Sequence, residues 1–149
     1  MEIEVLIQKL DDDAVIPHYA HEGDAGVDLY SRINYTLKAG ERVLIPTGIK
    51  MAIPKGYEGQ VRPKSGLALK HGITVLNTPG TIDSPYRGEI GVILINHDKT
   101  PYEIKKHEKI AQMVFNEIRY AKFRILNSLN NTSRGENGFG STGLKNKKQ

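Results

Sequence analysis

The 149-residue chain contains no cysteine and no tryptophan. Without thiols it can form neither a disulfide framework nor a thiolate metal site, which is typical of the cytoplasm. No apolar run approaches the roughly 18 residues of a membrane span. The first residues also lack the basic-then-apolar pattern of a signal peptide. We therefore expect a cytoplasmic protein with no membrane partner.

An excess of charge is also absent from most of the chain. The net charge is +4, from 21 basic and 17 acidic residues. Beyond Asn127 there are four basic residues and one acidic residue, so the body before that point is close to neutral. Nucleic-acid-binding domains present a strongly basic face. We therefore expect no nucleic-acid partner.

Apolar residues alternate with polar ones in short runs bounded by glycine and proline. The runs lie at residues 3–7, 43–45, 49–53, 90–94 and 109–118. Many short strands at this spacing predict an all-β sandwich or barrel. Residues 65–72 differ, because Ser65 suits a helix N-cap and Gly72 a C-terminal stop, which predicts one or two turns of helix. No internal repeat is apparent.

Residues 134–143 combine backbone freedom with groups suited to a nucleotide. They contain four glycines, together with Arg134, Phe139, Ser141 and Thr142. Glycine backbone can turn successive N–H groups toward an anion, and arginine offers a planar cation to phosphate. This composition predicts a flexible arm that closes over a nucleotide, although a disordered tail would explain it equally well. We expect a β domain at residues 1–127 and an arm at 128–149.

Other candidate residues are individually weak signals. Asp83 and Asn77 flank a turn-forming segment, and each is equally explained by local turn chemistry. Ser65 has a simple alternative as a helix cap. Asp28 and Gln112 lie within apolar strand patterns. The simpler explanation for Asp28 is that it lies on the polar face of its strand. The simpler explanation for Gln112 is that its side chain bonds to a backbone group.

Taken in order, five segments resemble the motifs of the homotrimeric dUTP pyrophosphatase (dUTPase) family. They are residues 25–30, 63–66, 80–88, 109–112 and 134–143, and the resemblance covers residues 3–143. It implies a jelly-roll-like β-barrel with one short helix and a flexible C-terminal arm. It also implies a homotrimer with active sites between subunits, each covered by the arm of another subunit. The implied reaction is Mg²⁺-dependent hydrolysis of dUTP to dUMP and pyrophosphate, which keeps uracil out of DNA and supplies dUMP for dTMP synthesis.

The resemblance also implies residue roles. Asp83 would activate the attacking water, and Asp28 would hold Mg²⁺ through water. A hairpin at residues 77–86 would recognise uracil, and Tyr86 would exclude a ribose 2′-hydroxyl. The implied substrate-binding residues are Lys64, Ser65, Gly66, Asn77, Gly80, Tyr86, Gln112, Arg134, Phe139, Gly140, Ser141 and Thr142.

Lys64 departs from the family pattern, which usually has arginine at this position. Lysine keeps the positive charge but lacks the planar fork, so we expect somewhat weaker contacts without loss of activity. Two other functions are compatible with the same fold. One is dCTP deamination, which would require a glutamate base and an Arg-Ser-Ser type of second motif. The other is non-catalytic nucleotide sensing.

Overall fold

The computed structural model describes residues 1–146, in which ten strands and one helix form an antiparallel β architecture. The elements are β1 (Leu6–Lys9), β2 (Val27–Tyr30), β3 (Tyr35–Leu37), β4 (Arg42–Ala52), β5 (Tyr57–Arg62), α1 (Ser65–His71), β6 (Ile73–Val75), β7 (Gly80–Asp83), β8 (Glu89–Asn96), β9 (Tyr102–Ile104) and β10 (Lys109–Glu117). No helix in this part of the chain is long and apolar enough to cross a membrane.

Two four-stranded sheets carry the fold. One has the order β1-β4-β8-β6 and the other β2-β10-β5-β7, while β3 and β9 form a separate pair. Two antiparallel sheets of this kind are a jelly-roll-like arrangement, and the predicted all-β class with one short helix is confirmed. The described ladders remain open sheets and do not join into one closed cylinder.

The core lies along the inward faces of these sheets. Side chains of β8 alternate between buried and partly exposed, as the period of a strand requires. Ile90, Val92 and Leu94 are at most 1 % exposed, and Leu29 and Met113 of the other sheet are fully buried. The alternation at residues 90–94 therefore predicted a core strand correctly.

The longest strand, β4, joins two runs that the sequence suggested were separate. Its pairing with β8 shifts register between Pro46 and Lys50. There the Thr47 hydroxyl donates to the Ile90 carbonyl at 2.6 Å, and the Gly48 N–H donates to a Glu89 carboxylate oxygen at 3.0 Å. Side-chain hydrogen bonds thus connect the two strands where the regular ladder is interrupted.

The helix begins one residue earlier than predicted. Lys64 occupies the N-cap position with extended backbone and no side-chain cap hydrogen bond, and Ser65 is the first helical residue. The prediction of Ser65 as the cap was therefore wrong. Gly72 ends the helix at φ 64°, and its N–H reaches the carbonyls of Leu67 and Ala68, as predicted for a C-terminal glycine.

Two turns of the fold place a tyrosine, a lysine and a glutamate in the same arrangement. The Tyr35 hydroxyl donates to the Glu41 carboxylate, and the Tyr102 hydroxyl donates to that of Glu108. In both turns the other carboxylate oxygen accepts the backbone N–H three residues after the tyrosine, at 2.8 and 2.9 Å. The two turns follow β3 and β9, which pair with each other. The similarity is confined to these two short turns and does not amount to a repeated structural unit.

The body comprises Met1–Arg119, and the remaining described residues, from Tyr120 onward, form a second unit. Within its described part this unit consists of turns, bends and irregular backbone. The large apolar side chains that it exposes are Tyr120, Phe123, Ile125, Leu126, Leu129, Phe139 and Leu144. The functional boundary expected after Asn127 stays a prediction.

Candidate active site

One cleft in the body, called the first cleft below, gathers four of the predicted residues. It encloses about 220 Å³ beside β7, and Asn77, Gly80, Asp83 and Tyr86 line it. Its remaining lining is largely apolar, with Leu44, Val61, Ile82 and Ile93. Asp83 and Asn77 are exposed there, so both polar side chains are available to a ligand. An apolar cavity with a few polar groups is typical of a small-molecule site.

The backbone that carries these residues is not a simple hairpin. β6 pairs with β8 in one sheet, whereas β7 pairs with β5 in the other. The expected hairpin at residues 77–86 is therefore a crossing between sheets rather than two strands paired with each other. Gly80 allows the close approach, since a Cβ there would lie 3.3 Å from Val61 Cβ and 3.2 Å from Asn77 Nδ2.

Tyr86 is held by contacts on both sides of its position in the chain. Its backbone N–H donates to the Asp83 carbonyl at 3.0 Å, and its hydroxyl donates to the Glu89 carbonyl at 3.0 Å. Its ring crosses over Gly88, where a Cβ would lie 2.3 Å from the Tyr86 hydroxyl oxygen. Glycine at residue 88 therefore gives the ring its place at the edge of the cleft.

The second cleft is polar and encloses about 450 Å³. Asp28, Lys64 and Gln112 line it, together with Arg62 and Lys109. Strand β10 explains this grouping, because Gln112 pairs with Asp28 of β2 on one side and with Arg62 of β5 on the other. Three of the predicted residues thus come together from segments that are far apart in sequence.

Asp28 is the electrostatic centre of this cleft. It is buried, with 6 % of its surface exposed, and is not on a polar strand face. Its two carboxylate oxygens lie 2.5 Å from Lys64 Nζ and 2.7 Å from Lys109 Nζ. Burial raises the pKa of the Asp28 carboxyl, but hydrogen bonds from Lys109 and Lys64 outweigh it and hold the pKa below its usual value. The same contact raises the pKa of Lys109.

Gln112 is fixed by its neighbours. Its Nε2 donates to the Pro63 carbonyl at 2.9 Å. Its Oε1 lies over Gly26, where a Cβ would come within 2.9 Å of that oxygen. Gln112 thus has the backbone partner that the simpler sequence explanation required, and it also lines the cleft.

Two cations of the second cleft had no role in the sequence predictions. Arg62 lies across from Gln112, and Lys109 contacts Asp28. With Lys64 they give three positive side chains, against the carboxylates of Asp28 and Asp24 in the lining. The surplus of positive charge suits an anionic ligand. Lys109 begins the fourth motif, so its position was visible in the sequence, but its pairing with Asp28 was not.

Ser65 and Gly66 lie in the first turn of α1, where both are exposed. Neither lines the two clefts described above. The anion site predicted at the helix N-terminus has only this short seven-residue helix behind it. Their role as substrate contacts stays a prediction.

The predicted residues of the arm lie on a succession of tight turns. Arg134 Nε donates to the Asn137 carbonyl at 2.9 Å, and the Ser141 N–H donates to the Gly138 carbonyl at 3.0 Å. Phe139 has a positive φ of 49° and is fully exposed. The exposed residues of this segment also include Gly140 and Thr142. The role of these arm residues in binding a ligand stays a prediction.

Comparison with known proteins gives a consistent result. The dUTPase family model matches residues 12–143. The deoxyuridine 5′-triphosphate nucleotidohydrolase of Trichodesmium erythraeum is 58 % identical over 137 residues, which cover 92 % of this chain and 96 % of that protein. The enzyme of the same name from Clostridium novyi is 56 % identical over 142 residues, covering 95 % of this chain and all of that protein.

Solved structures agree with the fold. The dUTPase of Staphylococcus bacteriophage 80alpha with dUpNHpp superimposes with a TM-score of 0.88 at 28 % sequence identity. The match covers 95 % of this chain and 99 % of that one. The similarity therefore extends through the body and into the C-terminal segment.

Proposed function

The chain belongs to the dUTPase family, and we propose that it hydrolyses dUTP to dUMP and pyrophosphate using the two clefts and the C-terminal arm. It is an enzyme, a dUTP diphosphatase. The observation that carries the residue roles is the sorting of the motif residues into two chemical environments. Asp83, Asn77 and Tyr86 share a largely apolar cleft that suits a base and sugar, while Lys64 and Gln112 share a cationic cleft that suits phosphates.

In the proposed reaction, Asp83 orients a water molecule and accepts its proton as the water oxygen bonds to the α-phosphorus. The bond from that phosphorus to the bridging oxygen breaks, and pyrophosphate leaves with the bond electrons. A carboxylate is a weak base for water. Most of the acceleration must therefore come from positioning and from stabilisation of phosphate charge.

We assign the stabilisation of the phosphate charge to the second cleft and the arm. Gln112 and Lys64 would contact the phosphates, with Ser65 and Gly66 beside the bridging oxygen. From the arm, Arg134, Ser141, Thr142 and Gly140 would close on the γ-phosphate, and Phe139 would cover the uracil. Closure of such a segment excludes water and completes the site.

Base and sugar selection is assigned to the first cleft. The Asn77 amide can both donate and accept, as the edge of uracil requires. Gly80 lets the Asn77 amide lie close to β7 in this cleft. Tyr86 would pack beneath the deoxyribose and leave no room for a 2′-hydroxyl. A wrong base would leave buried polar groups unpaired, which supports strong discrimination.

The donor set fits Mg²⁺ only as an ion that arrives with the triphosphate. No group of three or more histidine, cysteine or acidic side chains capable of holding a metal occurs in residues 1–146. Both oxygens of Asp28 already contact lysines, which leaves it a role through water at most. Mg²⁺ commonly takes few protein ligands and uses substrate phosphates and waters instead. When bound, it supplies neutralisation of phosphate charge.

An interfacial site in a homotrimer explains why the two clefts are separate. Val61 lines the first cleft and Arg62 the second. Successive side chains of a strand point to opposite faces, so β5 separates the clefts within one chain. A second copy would bring its own first cleft to the second cleft of its neighbour. Exposed apolar side chains such as Phe123 and Ile125 support burial against other subunits.

We also propose that the protein acts in the cytoplasm, because its sequence contains no cysteine. Non-catalytic sensing and dCTP deamination are not favoured, since the named relatives are nucleotidohydrolases and the second motif is Lys-Ser-Gly.

The decisive test is pyrophosphate release in parallel reactions with dUTP, dCTP, dTTP and UTP in the presence of Mg²⁺. We expect release from dUTP alone, and ammonia from dCTP would indicate the deaminase instead. Asp83→Asn is expected to abolish turnover while retaining binding of dUpNHpp. Turnover at the wild-type rate in this variant would remove Asp83 as the base.

A further inference from the structure

Glu89 connects the first cleft to a polar network outside it. Its Oε1 accepts hydrogen bonds from the Gly48 N–H at 3.0 Å and from Arg32 Nη1 at 3.1 Å. Arg32 also extends this network, because its Nε contacts the Asp11 carboxylate. The Arg32 and Glu89 side chains are 32 % and 31 % exposed, so water only partly screens their interaction.

The position of Glu89 is set by the backbone of β4. The Gly48 N–H lies where the β4–β8 ladder shifts register, so it needs a hydrogen-bond partner from outside the regular ladder. The Glu89 carboxylate supplies that partner. Arg32 lies over Gly48, since a Cβ there would be 3.3 Å from Arg32 Cδ, and its charge holds the carboxylate in place.

The backbone of Glu89 also holds the Tyr86 side chain, which faces the sugar in the proposed site. The Glu89 carbonyl accepts the Tyr86 hydroxyl at 3.0 Å. Gly88, between them, has no side chain to keep the ring away. The orientation of the Tyr86 ring therefore depends on where residue 89 is held, and Glu89 is held by Gly48 and Arg32.

We propose that Arg32 and Glu89 are positioning residues that fix the Tyr86 ring and thereby set the selectivity for deoxyribonucleotide over ribonucleotide. This inference rests on the proposed function, in which Tyr86 excludes a 2′-hydroxyl. Arg32 acts through Glu89 and Tyr86 and has no assigned substrate contact. A steric barrier discriminates only while it is rigid, because a small rotation of the ring would admit the hydroxyl.

The test is the ratio of kcat/KM for dUTP to kcat/KM for UTP. Arg32→Met keeps an extended side chain but removes the charge, and we expect it to lower the ratio by about threefold to tenfold, chiefly through faster use of UTP. Arg32→Lys should restore part of the ratio.

Glu89→Gln keeps an acceptor for the Gly48 N–H while weakening the contact with Arg32, so it should behave like Arg32→Met. The matched control is Arg119→Met, which removes only the Arg119–Glu117 ion pair and should leave the ratio unchanged.

The double variant Arg32→Met/Tyr86→Phe tests whether Arg32 affects selectivity by positioning Tyr86 or by destabilising the protein in general. If Arg32 acts through the Tyr86 hydroxyl, the two losses of selectivity will not add. Additive losses, or an unchanged ratio in both Arg32→Met and Glu89→Gln, would overturn the inference. An unchanged ratio in Tyr86→Phe would also overturn it. Failure of the proposed function is distinguishable, since the wild-type protein itself would then not release pyrophosphate from dUTP.

Discussion

Asp28 and Lys64, from the first and second motifs, meet at 2.5 Å in the second cleft. The other oxygen of Asp28 is taken by Lys109 at 2.7 Å. An arginine can donate two parallel hydrogen bonds to one carboxylate, whereas a lysine offers a single charged centre. Two lysines here supply the two donors that a single arginine fork could provide. This pairing gives a physical reason to expect activity despite the lysine at residue 64.

The first prediction concerns the removal of this central charge. Asp28→Asn would leave two lysines facing each other without a carboxylate between them. We expect a loss of about 2 kcal/mol of stability, because a buried charge network loses its anion. The measurement is the thermal midpoint at fixed protein concentration. Asp13→Asn is the control, since Asp13 pairs with Lys106 in an exposed setting and should show almost no change. Equal shifts in both variants would contradict the central role of Asp28.

The second prediction concerns acid stability. The pKa of Asp28 is lowered in the folded protein, so its contribution to stability is present above the unfolded pKa of about 3.9 and is lost as the pH falls through the folded pKa. The difference in thermal midpoint between wild type and Asp28→Asn should therefore be constant from about pH 5 to 7 and shrink below about pH 4. Thermal scans of both proteins across this range measure it. A difference that grows on acidification would have the wrong sign.

Local patterns predicted much of this fold, but contacts between distant segments required the structure. The alternation of Ile90, Val92 and Leu94 fixed a core strand because burial on one face imposes a period of two. Gly72 fixed the end of the helix because it tolerates the left-handed conformation. The register of β10 with β2 and β5 depends on residues far apart in sequence, and no local pattern encodes it.

The candidate site shows the same division. Asp83 and Tyr86 occur in the third motif and Asn77 lies three residues before it, so resemblance to a family was sufficient to group these residues, which share one cleft. Glu89 follows that motif directly, yet its bond to Gly48 depends on an irregularity in β4. The two Tyr–Glu turns share a tyrosine, a lysine and a glutamate at the same spacing, but a match over seven residues does not predict hydrogen bonds, and their common geometry required the structure.

The third prediction comes from those repeated turns. Gly40 has φ 72°, and His107, at the equivalent position of the second turn, has φ 68°. Left-handed backbone costs a residue with a side chain roughly 1–2 kcal/mol. His107→Gly should therefore stabilise the protein, by about 0.5–1 kcal/mol after the greater flexibility of glycine in the unfolded chain is included.

The control for this prediction is Gly40→Ala. A Cβ at residue 40 meets nothing within 4 Å, so the substitution tests backbone conformation alone. We expect a loss of about 1 kcal/mol. Thermal midpoints of both variants should move in opposite directions, and a destabilised His107→Gly would show that the imidazole makes a contribution larger than the backbone cost.

The fourth prediction concerns the arm. Truncation after Leu129 removes Arg134, Phe139 and the glycine-rich turns but leaves every strand of the body. We expect the body to retain its thermal midpoint and kcat/KM for dUTP to fall by on the order of a hundredfold, because the site can no longer close. Truncation after Asn146 retains the whole fifth motif and is the control. Full activity in the shorter protein would exclude the arm as a lid.

The fifth prediction tests whether one active site uses two chains. Asp83→Asn damages only the first cleft and Gln112→Leu only the second, so each protein alone should be nearly inactive. If a site joins the first cleft of one subunit to the second cleft of its neighbour, co-refolding the two variants creates some sites with both residues intact. Random assembly of equal amounts into three-membered rings should recover about a quarter of wild-type activity. Simple mixing without refolding is the control. No recovery after refolding, with trimers verified by light scattering, would mean that both clefts serve one site within a single chain.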